Sequence, residues 1–149
     1  MADIVSPEVR SRMMAGIRGK NTKIEVEIRR ALFARKLRYR LHDRSLPGRP
    51  DIVLSKHKAV ILVHGCYWHG HQCDLYKEPK TNADFWIKKI QSNRNRDSKN
   101  EEELQQLGWR VAVVWECALR GQGPEAVGDV ADKLFAWIMN AGRRIEIRG

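Results

Sequence analysis

Residues 50–64 read PDIVLSKHKAVILVH, and this stretch decides the class of fold. Two short β-branched runs, 52–54 and 59–63, flank a polar tip. Branched side chains pack well on a pleated surface, so the pattern predicts a hairpin of two strands that is buried on at least one face. An acid, Asp51, stands at the start of the first strand, and His64 stands at the end of the second.

Helices and further strands are predicted on both sides of this hairpin. Residues 22–25 (TKIE) form a capping-box pattern ahead of apolar residues at helical spacing, which predicts a helix over roughly residues 23–36. Ser6, followed by a proline and an acid, predicts a short helix in an N-terminal arm. The order of elements is that of a mixed α/β domain with helices flanking a sheet. The other predicted elements are a strand over 37–41, a long helix from about 81–84 to 107, a strand over 109–115 and a helix from 123–124 to about 139.

The chain is strongly basic, with 28 Lys and Arg against 18 Asp and Glu and a formal charge of +10. Neutralising phosphates releases condensed counterions, so this charge favours a nucleic-acid partner, with a charge that serves only solubility as the alternative. No apolar run approaches the ~20 residues that span a bilayer, and residues 1–12 contain no hydrophobic signal segment. We therefore expect no membrane insertion, no Sec-type export and a cytoplasmic location.

Three cysteines and one histidine form a candidate zinc site. Cys66, His71 and Cys73 lie close together in a loop, and Cys117 follows the last predicted strand. Two thiolates, an imidazole and a distant thiolate are the ligand set of a closed tetrahedral zinc site. The alternative is ordinary buried thiols, since free cysteine is among the most buried residue types. A site with four protein ligands would hold the loop in place and would not do chemistry.

Asp51, His64 and His69 are candidate catalytic residues. A carboxylate that enters a strand beside the mouth of its neighbour can hold a divalent metal against a phosphate. A Pro-Asp pair is also common in turns, so the sequence Pro50-Asp51 alone leaves both interpretations open. A neutral imidazole can take a proton from an attacking water near pH 7, which makes His64 and His69 candidates for that step.

Asp97 is an acid within the apolar stripe of the long predicted helix. It shares one helical phase with Ile90 and Leu104, because the three residues are seven apart. An unpaired buried charge is unfavourable by several kcal/mol, so Asp97 needs a partner. His69 is the partner we propose, and Arg94 or Arg96 on the same helix is the alternative.

Tyr67, Trp68 and Trp86 form a candidate aromatic wedge. Inserted rings can replace base stacking in kinked or mispaired DNA, each contributing roughly 1–3 kcal/mol. Tyr67 and Trp68 sit between polar residues. Core packing is the alternative, and it suits three other tryptophans better because they sit on periodic apolar faces. These are Trp109, Trp115 and Trp137.

Three strings carry a resemblance to a known family. They are LPGRPD at 46–51, HGCYWHGHQC at 64–73, and GWR at 108–110 followed by WECALR at 115–120. In order and spacing the chain closely resembles the very short patch repair (Vsr) DNA mismatch endonucleases over nearly its whole length. The resemblance implies a restriction-endonuclease-like mixed sheet flanked by helices, with a structural zinc. It also implies nicking of one DNA strand 5′ of the thymine in a T·G mismatch, which arises when 5-methylcytosine deaminates.

The resemblance implies roles for six residues at the site of cleavage. Asp51 matches the magnesium-binding carboxylate, where two Mg²⁺ ions would polarise the scissile phosphate, and Val63 would add its backbone carbonyl. Some family members carry threonine at position 63. His69 matches the water-activating group, supported by Asp97, and His64 would lie near the phosphate. Glu25 is similar to an acid that orients water at the metal, although its place in a capping box also explains it structurally.

The resemblance also implies the zinc ligands and the contacts to DNA. Residues 1–21 would form an arm of the single domain 1–149 that grips the minor groove, with Met14 and Ile17 near the DNA. We expect a monomer that acts on double-stranded DNA, with other mismatch-repair proteins as further partners. A sequence-specific restriction endonuclease and a non-catalytic zinc-stabilised DNA-binding module are the alternatives. The implied zinc ligands are Cys66, His71, Cys73 and Cys117, and the implied intercalating rings are Tyr67, Trp68 and Trp86.

Overall fold

A computed structural model describes residues 22–66 and 82–149 of the chain. The predicted N-terminal helix and arm, and the loop that holds most of the predicted zinc and wedge residues, lie outside these ranges. Within the described ranges the helices are α1 (Lys23–Ala34), α2 (Ala83–Gln106) and α3 (Ala126–Met139). The strands are β1 (Arg40–Leu41), β2 (Ile52–Leu54), β3 (Ala59–His64), β4 (Arg110–Trp115) and β5 (Arg144–Ile147).

The strands form one mixed sheet in the order β1-β2-β3-β4-β5. The first three strands pair antiparallel, with Ile52 opposite Ile61, which confirms the predicted hairpin. β3, β4 and β5 pair parallel, and α2 and α3 supply the crossovers that parallel neighbours require. The prediction of a mixed α/β fold is therefore confirmed, and the arrangement is consistent with a nuclease-like sheet.

The two faces of the sheet carry different helices. Side chains alternate between the faces along a strand, so Ile61 of β3 packs with α1 and α3 while Val60 packs with α2. β3 is buried on both faces, which is typical of a strand inside an α/β domain. The α2 side is the smaller core, made of Val53, Val60, Leu62, Leu104, Val111 and Val113.

The structure differs from the sequence-based predictions at three places. The helix predicted to reach residue 36 ends at Ala34, and Lys36 takes a left-handed φ of 67°. The strand predicted over 37–41 is only Arg40–Leu41, because Leu37 turns into the core as part of the loop. β5 was not predicted at all. No helix in the described ranges combines the length and the apolar character needed to cross a membrane.

Candidate active site

The carboxyl ends of β3 and β4 create one edge of the sheet at which polar residues gather. Parallel pairing sets His64 beside Trp115. Asp51, at the start of the antiparallel β2, reaches the same edge, where its Oδ2 accepts a hydrogen bond from the Val63 N–H at 2.7 Å. β1 ends there too, because the N–H of His42 donates to the Asp51 carbonyl at 3.2 Å. We call this the carboxyl edge of the sheet.

A cluster of two carboxylates and one imidazole occupies the carboxyl edge. Glu25, His42 and Asp51 each offer one ligand atom, and these atoms all lie within 4.8 Å of one another. His42 Nε2 is 2.5 Å from Glu25 Oε1. Glu25 is 2% exposed, so its carboxylate depends on close polar partners. The structure therefore brings together two acids that the sequence analysis had selected separately.

Glu25 combines a structural and a site position. It lies in the first turn of α1, where its N–H donates to Thr22 Oγ1 at 3.3 Å, so the predicted N-cap is confirmed. Its carboxylate contacts His42. The capping pattern thus explains the hydrogen bond of the Glu25 N–H. It does not explain why the Glu25 carboxylate contacts His42.

The donor set fits a hard divalent cation. Mg²⁺ is usually held by one or two carboxylates and keeps several waters, and oxygen ligands at about 2.0–2.1 Å are its preference. Within an extended strand, the N–H and C=O of one residue point to the same neighbouring strand. Since the Val63 N–H points to Asp51, the Val63 carbonyl faces the same side.

His64 and Asp97 line a cleft of about 140 Å³ between α2 and the strand ends. The His64 ring packs edge-on against Trp115, with centroids 5.1 Å apart. Burial of Ile90 and Leu104 confirms that this side of α2 faces the sheet. Arg94, the alternative partner of Asp97, lines the cleft as well. The pairing of Asp97 with His69 stays a prediction, because His69 lies outside the described residues.

Comparison with known proteins gives the family. A family profile described as DNA mismatch endonuclease Vsr matches residues 2–75. The chain is 42% identical to the DNA mismatch endonuclease Vsr of Escherichia coli over 147 residues, which cover 99% of this chain and 94% of that protein. The chain belongs to the Vsr DNA mismatch endonuclease family.

Two further relatives of this Vsr family member are named as nicking enzymes. The type II nicking enzyme V.NmeAIP of Neisseria meningitidis is 49% identical over 122 residues, 82% of this chain and 87% of that protein. The type II nicking enzyme V.XorIIP of Xanthomonas oryzae pv. oryzae is 47% identical over 123 residues, 83% of this chain and 90% of that protein. The resemblance stated from the three sequence strings is confirmed.

Two of the four predicted zinc ligands of this Vsr protein lie just beyond the ends of the adjacent strands β3 and β4. Cys66 and Cys117 each follow the paired residues His64 and Trp115 by two positions, and both are buried. Glu116 ties the two ends together, because its Oε1 accepts from the Cys66 N–H at 3.2 Å. His71 and Cys73 lie outside the described residues.

Trp86 is the one residue of the predicted aromatic wedge within the described ranges. It lies in the first turn of α2, edge-on to the ring of Phe85 at 5.2 Å. Phe85 is exposed. Trp137 is buried in one core, and Trp109 and Trp115 pack on the other, which confirms their assignment to packing. Tyr67 and Trp68, and Met14 and Ile17 of the arm, lie outside the described residues.

His42 is the member of the cluster that the sequence analysis missed. It follows β1 directly and has a left-handed φ of 49°. The Asp43 carboxylate then accepts from the Ser45 N–H and hydroxyl at 2.9 and 2.6 Å, and these bonds lower the pKa of Asp43. The sequence does show a histidine between a short strand and a turn. Only the pairing of β1 with β2 brings this histidine next to Asp51, however, and that pairing is not visible in the local pattern.

Proposed function

We propose that the protein is a DNA endonuclease that hydrolyses one phosphodiester bond with the help of Mg²⁺, nicking 5′ of the thymine in a T·G mismatch. The observation that carries this proposal is the cluster of Glu25, His42 and Asp51 at the carboxyl edge of the sheet, where Asp51 is bonded to Val63, the residue before His64. Membership of the Vsr family supports the reaction class, since the E. coli relative is named a DNA mismatch endonuclease.

Asp51 and the Val63 carbonyl would hold the cation, and Glu25 would orient a water beside it. A divalent cation bound there supplies Lewis-acid polarisation of the phosphate and a more acidic water. Asp51 suits this task because the Val63 N–H already fixes one of its oxygens. Glu25 suits it because the contact with His42 fixes its carboxylate in a buried position.

His69 would take the proton from the attacking water, with Asp97 orienting its ring. His64, which lines the same cleft as Asp97, would contact the phosphate. Removing a general base typically lowers a rate about 10²–10⁴-fold, which is the loss we expect for His69→Ala in single-turnover nicking. A loss below tenfold would favour His64 as the proton acceptor.

A zinc ion held by Cys66, His71, Cys73 and Cys117 would fix the loop between β3 and α2. Cys66 and Cys117, which follow the paired ends of β3 and β4, support this proposal, because a loop that leaves one strand could be closed back onto the other. Four protein ligands leave no open position, so the zinc would be structural.

DNA recognition would combine charge with an aromatic wedge. The chain carries a formal charge of +10, which favours any duplex through its phosphates. Tyr67, Trp68 and Trp86 would enter the stack at the mismatch, where opening the helix is least unfavourable. Residues 1–21 would grip the minor groove, and we propose that the 149-residue chain acts as one domain and as a monomer.

A nicking assay on matched and T·G duplexes, in Mg²⁺ and in EDTA, tests the proposal. We expect nicking only of the mismatched duplex in Mg²⁺. The relatives named type II nicking enzymes favour a second candidate, a nicking enzyme defined by its recognition sequence. Randomising the bases that flank the mismatch separates the mismatch endonuclease from the sequence-defined nicking enzyme. Nicking of a matched duplex at one fixed sequence would support the sequence-defined enzyme. A duplex bound but never cleaved would indicate a DNA-binding module.

A further inference from the structure

We propose that His42 is a positioning residue that orients the Glu25 carboxylate toward the cation site and ties it to Asp51. The inference deepens the proposed function, on which it rests for the chemistry of the site. It concerns the described residues only. It starts from the contact between Glu25 in the first turn of α1 and His42, which follows β1.

Two contacts of His42 span the cluster. Its side chain holds Glu25 through the 2.5 Å contact from Nε2 to Oε1. Its main chain holds Asp51, because the His42 N–H donates to the Asp51 carbonyl at 3.2 Å. One residue thus joins the two acids, which come from different elements of the fold.

Burial makes the side-chain contact consequential. The side chain of His42 is 12% exposed and that of Glu25 is 2% exposed. A carboxylate removed from water depends on its remaining partners for both ionisation and direction. Residues that hydrogen-bond to the groups at a metal site orient those groups. Their loss typically reduces metal affinity or activity about 10–100-fold.

The same geometry argues against His42 as a metal ligand. Its Nε2 is the nitrogen that faces the cluster, and that atom is engaged with Glu25 Oε1. An imidazole nitrogen suits zinc, nickel or copper, whereas the oxygens of Asp51 and Val63 suit Mg²⁺. His42 therefore acts through Glu25.

Two amide variants of different length test this role. His42→Gln can place an amide N–H close to the position of Nε2 and restore the bond to Glu25. His42→Asn carries the same group one methylene shorter, and Asn is favoured in the left-handed conformation of this residue. We expect His42→Gln to retain most of the nicking rate and His42→Asn to lower kcat about 10–100-fold with little change in KM for DNA.

His57 supplies a matched control for the substitution itself. It lies in the 55–57 turn that precedes β3, whereas the cluster lies by the other end of that strand. His57→Asn should leave nicking unchanged. Equal losses in His42→Asn and His42→Gln, or full activity in both, would overturn the proposal.

Two further measurements separate positioning from ligation. In a Glu25→Gln background, His42→Asn should cause no further loss of rate, because it acts through Glu25. Additive losses of rate in the double variant would contradict a role through Glu25.

Mn²⁺ bound to the zinc-loaded protein without DNA should show the same nitrogen couplings by electron spin echo in wild type and His42→Gln. A coupling lost in that variant would make His42 a ligand and overturn the proposal.

The outcomes distinguish this inference from the proposed function. If wild type nicks T·G duplexes and His42→Asn nicks equally fast, only the inference fails. If wild type nicks no duplex, the proposed function fails, and the Glu25–His42 contact can still be measured as a coupling in thermal unfolding of the single and double variants. No coupling there would overturn the inference as well.

Discussion

The two edges of the sheet use charged side chains in opposite ways. At the carboxyl edge, the acids Glu25 and Asp51 gather with His42 around a candidate cation site. At the amino end of β4, which we call the amino edge of the sheet, all three nitrogens of the Arg110 guanidinium donate hydrogen bonds within the protein. Its nitrogens donate to five backbone carbonyls at 2.6–3.3 Å, those of His57, Trp137, Ile138, Asn140 and Gly142.

The Arg110 network stabilises the end of a helix. The last carbonyls of an α-helix have no partner within the helix, and three of the five acceptors lie at the end of α3 or just after it. The guanidinium also stacks over the ring of Trp137 at 4.6 Å. A planar fork with five donors is suited to this arrangement, and an ammonium is not. The difference predicts that substitutions in the acid cluster of the carboxyl edge affect chemistry, whereas substitution of Arg110 affects folding.

Substitution of Asp51 should have the largest effect on activity. Asp51→Asn removes the negative charge that would hold the metal ion, so nicking should be abolished. It removes no Lys or Arg that binds phosphate, so binding of mismatched DNA should persist. Single-turnover cleavage and a binding titration measure the two. Asp132→Asn is the control, since that exposed carboxylate pairs with Arg35 on the helices behind the sheet. Mg²⁺-dependent cleavage at the wild-type rate by Asp51→Asn would refute the site.

Substitution of Cys117 tests whether the carboxyl edge also contributes to folding. Binding energy at a structural zinc is part of the folding energy, so Cys117→Ser should release zinc and lower the melting temperature. Cys66→Ser should do the same, because the two thiols follow paired strand ends. Zinc content by mass spectrometry and thermal unfolding are the measurements. Full zinc occupancy with an unchanged melting temperature would show that the ligand assignment is wrong.

Substitution of Arg110 tests the opposite edge. Lysine cannot reproduce the fork, so Arg110→Lys loses at least two charge-assisted bonds, and we expect the free energy of unfolding to fall by about 2–3 kcal/mol. The nicking rate at a temperature where the variant is folded should be unchanged. Arg143→Lys, an exposed neighbour, is the control. A large loss of activity without a loss of stability would contradict the division between the edges.

Local patterns allowed the prediction of the fold, whereas part of the site depends on contacts between distant residues. The hairpin and α2 were predictable because their patterns are local. β5 was missed because its residues, Arg144–Ile147, give only four positions, of which a single one is buried. His42 was missed because its role depends on a two-residue strand pairing with β2. Asp51 was a candidate from its place at the start of a strand and Glu25 through family resemblance alone, and the fold then brought them together.

Substitution of Trp68 should have the smallest effect, and it distinguishes mismatch recognition from general attraction to DNA. A ring that replaces lost base stacking contributes roughly 1–3 kcal/mol where the helix must open. Trp68→Ala should therefore narrow the difference in affinity between T·G and matched duplexes. Lys and Arg contacts to phosphate act on any duplex, so the salt dependence should hardly change.

Binding titrations of both duplexes at several salt concentrations measure the Trp68 effect. Arg143→Gln offers the complementary control, because any loss from that exposed cation should weaken both duplexes alike and flatten the salt dependence. Equal weakening of both duplexes by Trp68→Ala, or full retention of the preference for the mismatch, would assign the ring to packing within the protein. The selectivity of the carboxyl edge would then have to come from the cation site and its neighbouring residues.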